Sequence, residues 1–133
     1  MKKYKIAIPL IIAVLLMFSF ISKQKPTYKL IIFEGSDWCS NCIKLEKKIL
    51  TSSTFTEFLT ANHIVIERID FPQRKKLTPE LVTYNESIAD KYHFTGTYPT
   101  LILVEVVSGK FYSLPHESEN LENLINVIQQ KIK

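Results

Sequence analysis

The residue pattern predicts an α/β domain, a central mixed sheet flanked by helices, preceded by an N-terminal signal or anchor helix. Three observations predict it. Strand-length apolar runs rich in β-branched residues alternate with segments of helical spacing. A Ser-Gly pair splits the last two strands as in a hairpin. The first 22 residues join a lysine cluster to a long apolar run. With 133 residues, 46% hydrophobic and 23% charged, the chain has material for one domain with its own core and is not extended disorder.

Residues 1–22 read as a signal anchor or signal peptide. Lys2, Lys3 and Lys5 precede an uncharged apolar run from Ile6 to Ile21, the order of an n-region and an h-region. The run is shorter than the roughly 20 residues that cross a bilayer comfortably. Phe20, Ile21 and Ser22 nonetheless make a poor cleavage site, which favours an uncleaved anchor. The positive-inside rule keeps the lysines in the cytoplasm. The remainder would then be extracytoplasmic or periplasmic, tied to the inner membrane by residues 6–21, in a compartment where disulfides persist. Without Lys2, Lys3 and Lys5, residues 23–133 carry 14 basic against 13 acidic side chains. That balance argues against a nucleic-acid-binding surface. Arg74, Lys75 and Lys76 form the only basic cluster there and read as a solvated loop.

Residues 23–27 (KQKPT) form a polar linker, and the domain runs from 28 to 133. "YKLIIFE" from Tyr28 is a buried strand, ended by Gly35, Ser36 and Asp37. From Cys39 onward, Cys42, Leu45 and Ile49 share one face while Lys44, Lys47 and Lys48 fall elsewhere, as on an amphipathic helix. A second helix turns Phe55, Phe58 and Leu59 inward, with Thr54 and Glu57 in capping-box spacing. "HIVIERIDF" is the next strand. "PQRKKLTPELVTY", with its two prolines and several charges, predicts a loop with at most a helical turn after Pro79. Asn85 would cap a short helix burying Ile88, Ala89 and Tyr92. "TLILVEVV" then pairs with "KFYSL" across a two-residue Ser108-Gly109 turn. Leu121, Leu124, Ile125, Ile128 and Ile132 mark the closing helix.

Cys39 and Cys42 are the only cysteines. A thiol reacts as thiolate, and its pKa falls at a helix N-terminus or in a C-x-x-C pair. Cys39 would sit at that terminus with Cys42 nearly one turn on. Such spacing suits a two-step exchange in which Cys39 attacks a disulfide and Cys42 resolves the mixed disulfide. Two other readings stay open. A structural disulfide would close so short a loop that it removes little chain entropy. A metal site wants four ligands, and His63, His93 and His116 lack the paired spacing of a zinc module; His93 is expected to pack beside Tyr92 and Phe94.

The W-C-S-N-C motif at 38–42, Asp70 at a strand end, the N-x-x-I-A-x-K-Y segment from Asn85 to Tyr92 and G-T-Y-P-T at 96–100 together resemble the thioredoxin superfamily. "GSDWC" and "DFPQRKKL" are similar to small extracytoplasmic bacterial members, and the resemblance covers about residues 28–133. It implies a thioredoxin-like fold, Cys39 as attacking and Cys42 as resolving thiol, and a cis-proline at Pro99 that presents a backbone edge to substrate. Trp38 and Tyr98 would flank the site as substrate contacts. Many relatives carry a buried aspartate in the strand before the motif; here Phe33 stands at the aligned position. The neighbouring Glu34 either takes over proton transfer or faces solvent.

The expectation is therefore an extracytoplasmic thiol–disulfide oxidoreductase, a reductase or isomerase, acting on protein disulfides through Cys39 and Cys42. It would need no dissociable cofactor and no metal, and would draw electrons from a membrane thiol carrier. The alternative from a different class is a non-catalytic copper-binding or assembly protein that uses the same pair for a soft metal.

Overall fold

The strand Tyr28–Glu34 (β1) is buried along nearly its whole length, and the other elements of the computed structural model, which describes residues 25–115 and 120–132, are arranged around it. The expected anchor at 1–22, the first linker residues and His116 lie outside the described residues. Among the described residues, no helix is long and apolar enough to cross a membrane.

β1 pairs in parallel with Ile64–Asp70 (β2) and antiparallel with Thr100–Glu105 (β3), which pairs antiparallel with Phe111–Leu114 (β4). The sheet order is β2-β1-β3-β4. The parallel pair requires a crossover, supplied by the helix Ser40–Leu45 (α1), its π-helical continuation Glu46–Leu50, and the helix Ser53–Ala61 (α2). Pro79–Lys91 (α3) and Leu121–Lys131 (α4) complete the set.

Strand parity divides the core. Leu30 and Ile32 of β1 pack with Leu45, Ile49, Phe55, Leu59, Leu124 and Ile128 beneath α1, α2 and α4. Ile31 and Phe33 point the other way, toward Ile69, Tyr92 and Ile102, with Ile88, Ala89 and Phe94 packed against them. Each fully buried Leu, Ile or Phe contributes about 1.5–3 kcal/mol in transfer free energy.

Four local expectations need correction. α3 begins at Pro79 with Thr78 as its cap, whose Oγ1 accepts the Leu81 N–H at 3.3 Å. Asn85 is thus a buried residue of the helix interior rather than a cap. α2 is preceded by Ser52, so Thr54 lies inside its first turn and caps nothing. β3 ends at Glu105: Val106 and Val107 leave the strand, and the connection to β4 runs from 106 to 110, longer than two residues. Gly109 takes φ +70° there, a conformation that favours glycine. His93 is exposed, with φ +54°, in the turn that ends α3.

Candidate active site

At the end of β1 the chain reverses over Gly35–Trp38. The Gly35 carbonyl accepts the N–H groups of Trp38 (3.2 Å) and Cys39 (2.8 Å), which sets Cys39 at the N-cap of α1 in extended conformation. Cys39 Sγ accepts the Cys42 N–H at 3.2 Å, so the sulfur occupies the place of a capping oxygen. Cys39 and Cys42 form a disulfide with a Cα–Cα distance of 5.2 Å. The two residues line different spaces. Cys39 lines an open cleft of about 380 Å³ with Trp38, Ser40, Asn41, Gly96 and Tyr98. Cys42 backs onto a separate cavity of about 240 Å³ bounded by Glu34, Ser36, Glu46 and Arg68.

The cleft wall is fixed from several sides. The Trp38 indole lies so close to Gly35 that a Cβ there would meet Cε2 at 2.3 Å, and Trp38 Nε1 donates to the Phe71 carbonyl at 2.8 Å. The Tyr98 ring meets Trp38 edge-on with centroids 5.2 Å apart and is backed by Phe94 at 5.1 Å and Phe71 at 6.0 Å. Burial pushes the Tyr98 phenol above its ordinary pKa. The Tyr98–Pro99 peptide is cis, the geometry the resemblance implies. Trp38 and Tyr98 thus line the same cleft as Cys39.

Two aspartates tie this turn to the segment after β2. Asp70 accepts Ser36 N–H (2.8 Å) and Oγ–H (2.7 Å) and pairs with Lys75 Nζ at 2.7 Å. Burial raises the Asp70 pKa, but these hydrogen bonds outweigh it and leave the carboxyl below its ordinary value. Asp37 accepts backbone N–H groups from Gln73, Arg74 and Lys75 at 2.8–3.0 Å, the Gln73 bond first among the causes that lower its pKa. Asn85 Nδ2 donates to the Asp70 carbonyl at 2.8 Å, pinning α3 to the same corner. Sequence reasoning saw in Ser36 and Asp37 only the end of the first strand. Each lies more than 30 positions from its partners, and the β1–β2 register, which sets Glu34 opposite Asp70, brings the two loops together.

Glu34 does not face solvent. It is 3% exposed and lies on the α1 side of the sheet, whereas Phe33 stacks on Phe94 on the other side with centroids 4.4 Å apart. Both Glu34 oxygens accept from Arg68, at 2.7 and 2.8 Å, and Arg68 also pairs with Glu46. The bonds to Glu34 lead in holding the Arg68 guanidinium protonated, above its ordinary range. The bidentate pairing offsets the desolvation of a buried carboxylate. Sequence reasoning missed Arg68 and Glu46; Arg68, an arginine at alternate spacing in an apolar strand, was the available signal. Among the described residues, no three metal-ligating side chains come together.

The comparisons with known proteins agree with this geometry. Over 84 residues the chain is 36% identical to the disulfide bond reductase DsbH of Chlamydia pneumoniae, a match covering 63% of this chain and 49% of that protein. The chain therefore spans about half the length of the curated relative it matches. A solved structure of a DsbH oxidoreductase superposes with TM-score 0.71 at 27% identity, covering 80% of this chain and 73% of that one. A thioredoxin from Thermus thermophilus (TM-score 0.54, 15% identity, 92% and 82% covered) shares the fold. So does the C-terminal domain of Neisseria meningitidis DsbD (0.51, 14%, 96% and 95%). No family model matches the chain.

Proposed function

The chain belongs to the thioredoxin superfamily, and from that premise we propose that it is a thiol–disulfide oxidoreductase that reduces or isomerises disulfides of exported proteins. One observation carries the reading: Cys39 lines an open cleft together with Trp38 and Tyr98, whereas its partner Cys42 lines a different cavity. In the reductive direction the Cys39 thiolate attacks a substrate disulfide, forming a mixed disulfide and expelling one substrate thiolate. Cys42, after losing its proton, attacks Cys39 Sγ; the second substrate thiolate leaves and the Cys39–Cys42 disulfide forms. Glu34 is the proton acceptor for Cys42 in this scheme, Trp38 and Tyr98 hold the substrate chain, and Pro99 offers it a backbone edge. The relative's description as a reductase favours this direction.

Residues 6–21 would hold the domain on the outer side of the inner membrane, where a membrane thiol carrier re-reduces the pair. With a mixed-disulfide peptide substrate, Cys39→Ser is expected to abolish exchange and Cys42→Ser to accumulate a covalent adduct. Undiminished turnover by Cys39→Ser would overturn the assignment.

A further inference from the structure

The end of the domain opposite the cysteine pair has a chemistry that the exchange reaction does not use. β1, seven residues long, sets roughly 20 Å between the two ends. At its start, the Val106 N–H donates to the Thr27 carbonyl at 3.0 Å, so the β3–β4 turn and the incoming chain share one end. Val106 is 46% exposed and Val107 91%. Lys25, Lys110 and Lys131 are exposed; Lys110 and Lys131 lie with Glu105 around the half-buried Tyr112, their Nζ atoms 5.1 and 5.4 Å from its ring centre. Glu105, the acidic neighbour, accepts from Ser108 Oγ. An exposed apolar turn followed by lysines and a tyrosine is the composition of a surface that meets lipid headgroups: lysine stems extend along the apolar layer while their charges reach anionic phosphates.

We propose that this end docks on the surface of an anionic phospholipid bilayer and thereby points Cys39 away from the membrane. The inference rests on the reading of residues 6–21 as a membrane anchor. Only five residues lie between Ile21 and Thr27, so an anchored run holds this end within roughly 20 Å of the bilayer's apolar layer. At the high effective concentration such a tether imposes, a weak surface suffices. The attacking sulfur then faces soluble exported chains.

The test uses the full-length, oxidised protein in phosphatidylethanolamine–phosphatidylglycerol vesicles. With the Cys39–Cys42 disulfide closed, Val107→Cys offers the one free thiol for a nitroxide label, and Thr97→Cys, beside the cleft, serves as the comparison. The label at 107 is expected to be roughly tenfold less accessible to an aqueous nickel relaxant than the label at 97, as for a group at headgroup level. Lys110→Glu, or vesicles of uncharged lipid, should reduce that protection. Equal accessibility at 97 and 107, in a chain that floats with the vesicles, overturns the docking and leaves the anchor standing. A chain that stays in solution overturns the anchor and the docking together.

Discussion

Cys39 opens onto a cleft walled by Trp38 and Tyr98, whereas Cys42, three residues on, backs onto a cavity ringed by Glu34, Glu46 and Arg68. The first space is open, with aromatic rings; the second contains a carboxylate–guanidinium cluster. Exchange chemistry needs such a division. The attacking sulfur must meet a bulky polypeptide, while the resolving sulfur needs a nearby group to take its proton and no competing access from solvent. The helical turn of α1 produces the difference, because residues 39 and 42 straddle the helix start, one at the cap and one inside it.

The largest expected effect falls on the charged side. Arg68→Leu leaves Glu34 buried without its bidentate partner. The loss should be about 2–3 kcal/mol in urea unfolding, below the 3–5 of a fully buried pair because Arg68 is half exposed. Adding Glu34→Gln to that variant should restore part of it, and additive losses would show that the pair is not coupled. Glu34→Gln alone should slow resolution of a preformed Cys39 mixed disulfide about tenfold to a hundredfold, the lower part of the range for a general base. Attack by Cys39 should hardly change. Equal slowing of both steps would remove the distinction between the two sulfurs.

On the cleft side, Gly35→Ala should push the indole off its seat and break its bond to Phe71. Trp38 is the only tryptophan, so its emission should shift to the red. The KM for a peptide disulfide should rise a few-fold, about 1 kcal/mol of lost contact. The smallest effect belongs to Asp70, whose pKa lies below the ordinary value. Its contribution to stability is present above the unfolded value near 3.8 and is lost as pH falls through the folded value. Asp70→Asn should therefore cost about 1 kcal/mol or less at neutral pH, given the exposure of Lys75. The difference from the parent should vanish toward pH 2. A gap that persists there assigns the loss to the Ser36 hydrogen bonds.

What could be read in the sequence was local. The Cys39–Cys42 helix start, the buried run of β1 and the order of strands and helices all depend on neighbours within a few residues. α3 was misread because its apolar residues contradict its burial: Leu81, Val82 and Tyr84 are exposed, and the residue sealed against the sheet is Asn85. Thr78 followed by Pro79 did carry the start signal, but the turns after it lack an inward apolar stripe. The π-helical segment was equally hidden, since it rests on the Thr51 N–H bonding to the Glu46 carbonyl five residues back. The ionic side of the site was illegible for another reason. Glu34 and Arg68 meet only through the parallel register of β1 and β2, which no local pattern specifies.

The difference between the two sulfurs is tested most directly by competitive alkylation of the reduced protein at neutral pH with limiting iodoacetamide, followed by peptide mass spectrometry. Cys39 should be modified about tenfold faster than Cys42, as expected when one thiol caps the helix and lines the open cleft and the other lies inside the helix. Equal rates, or faster modification of Cys42, would contradict the division of roles between them.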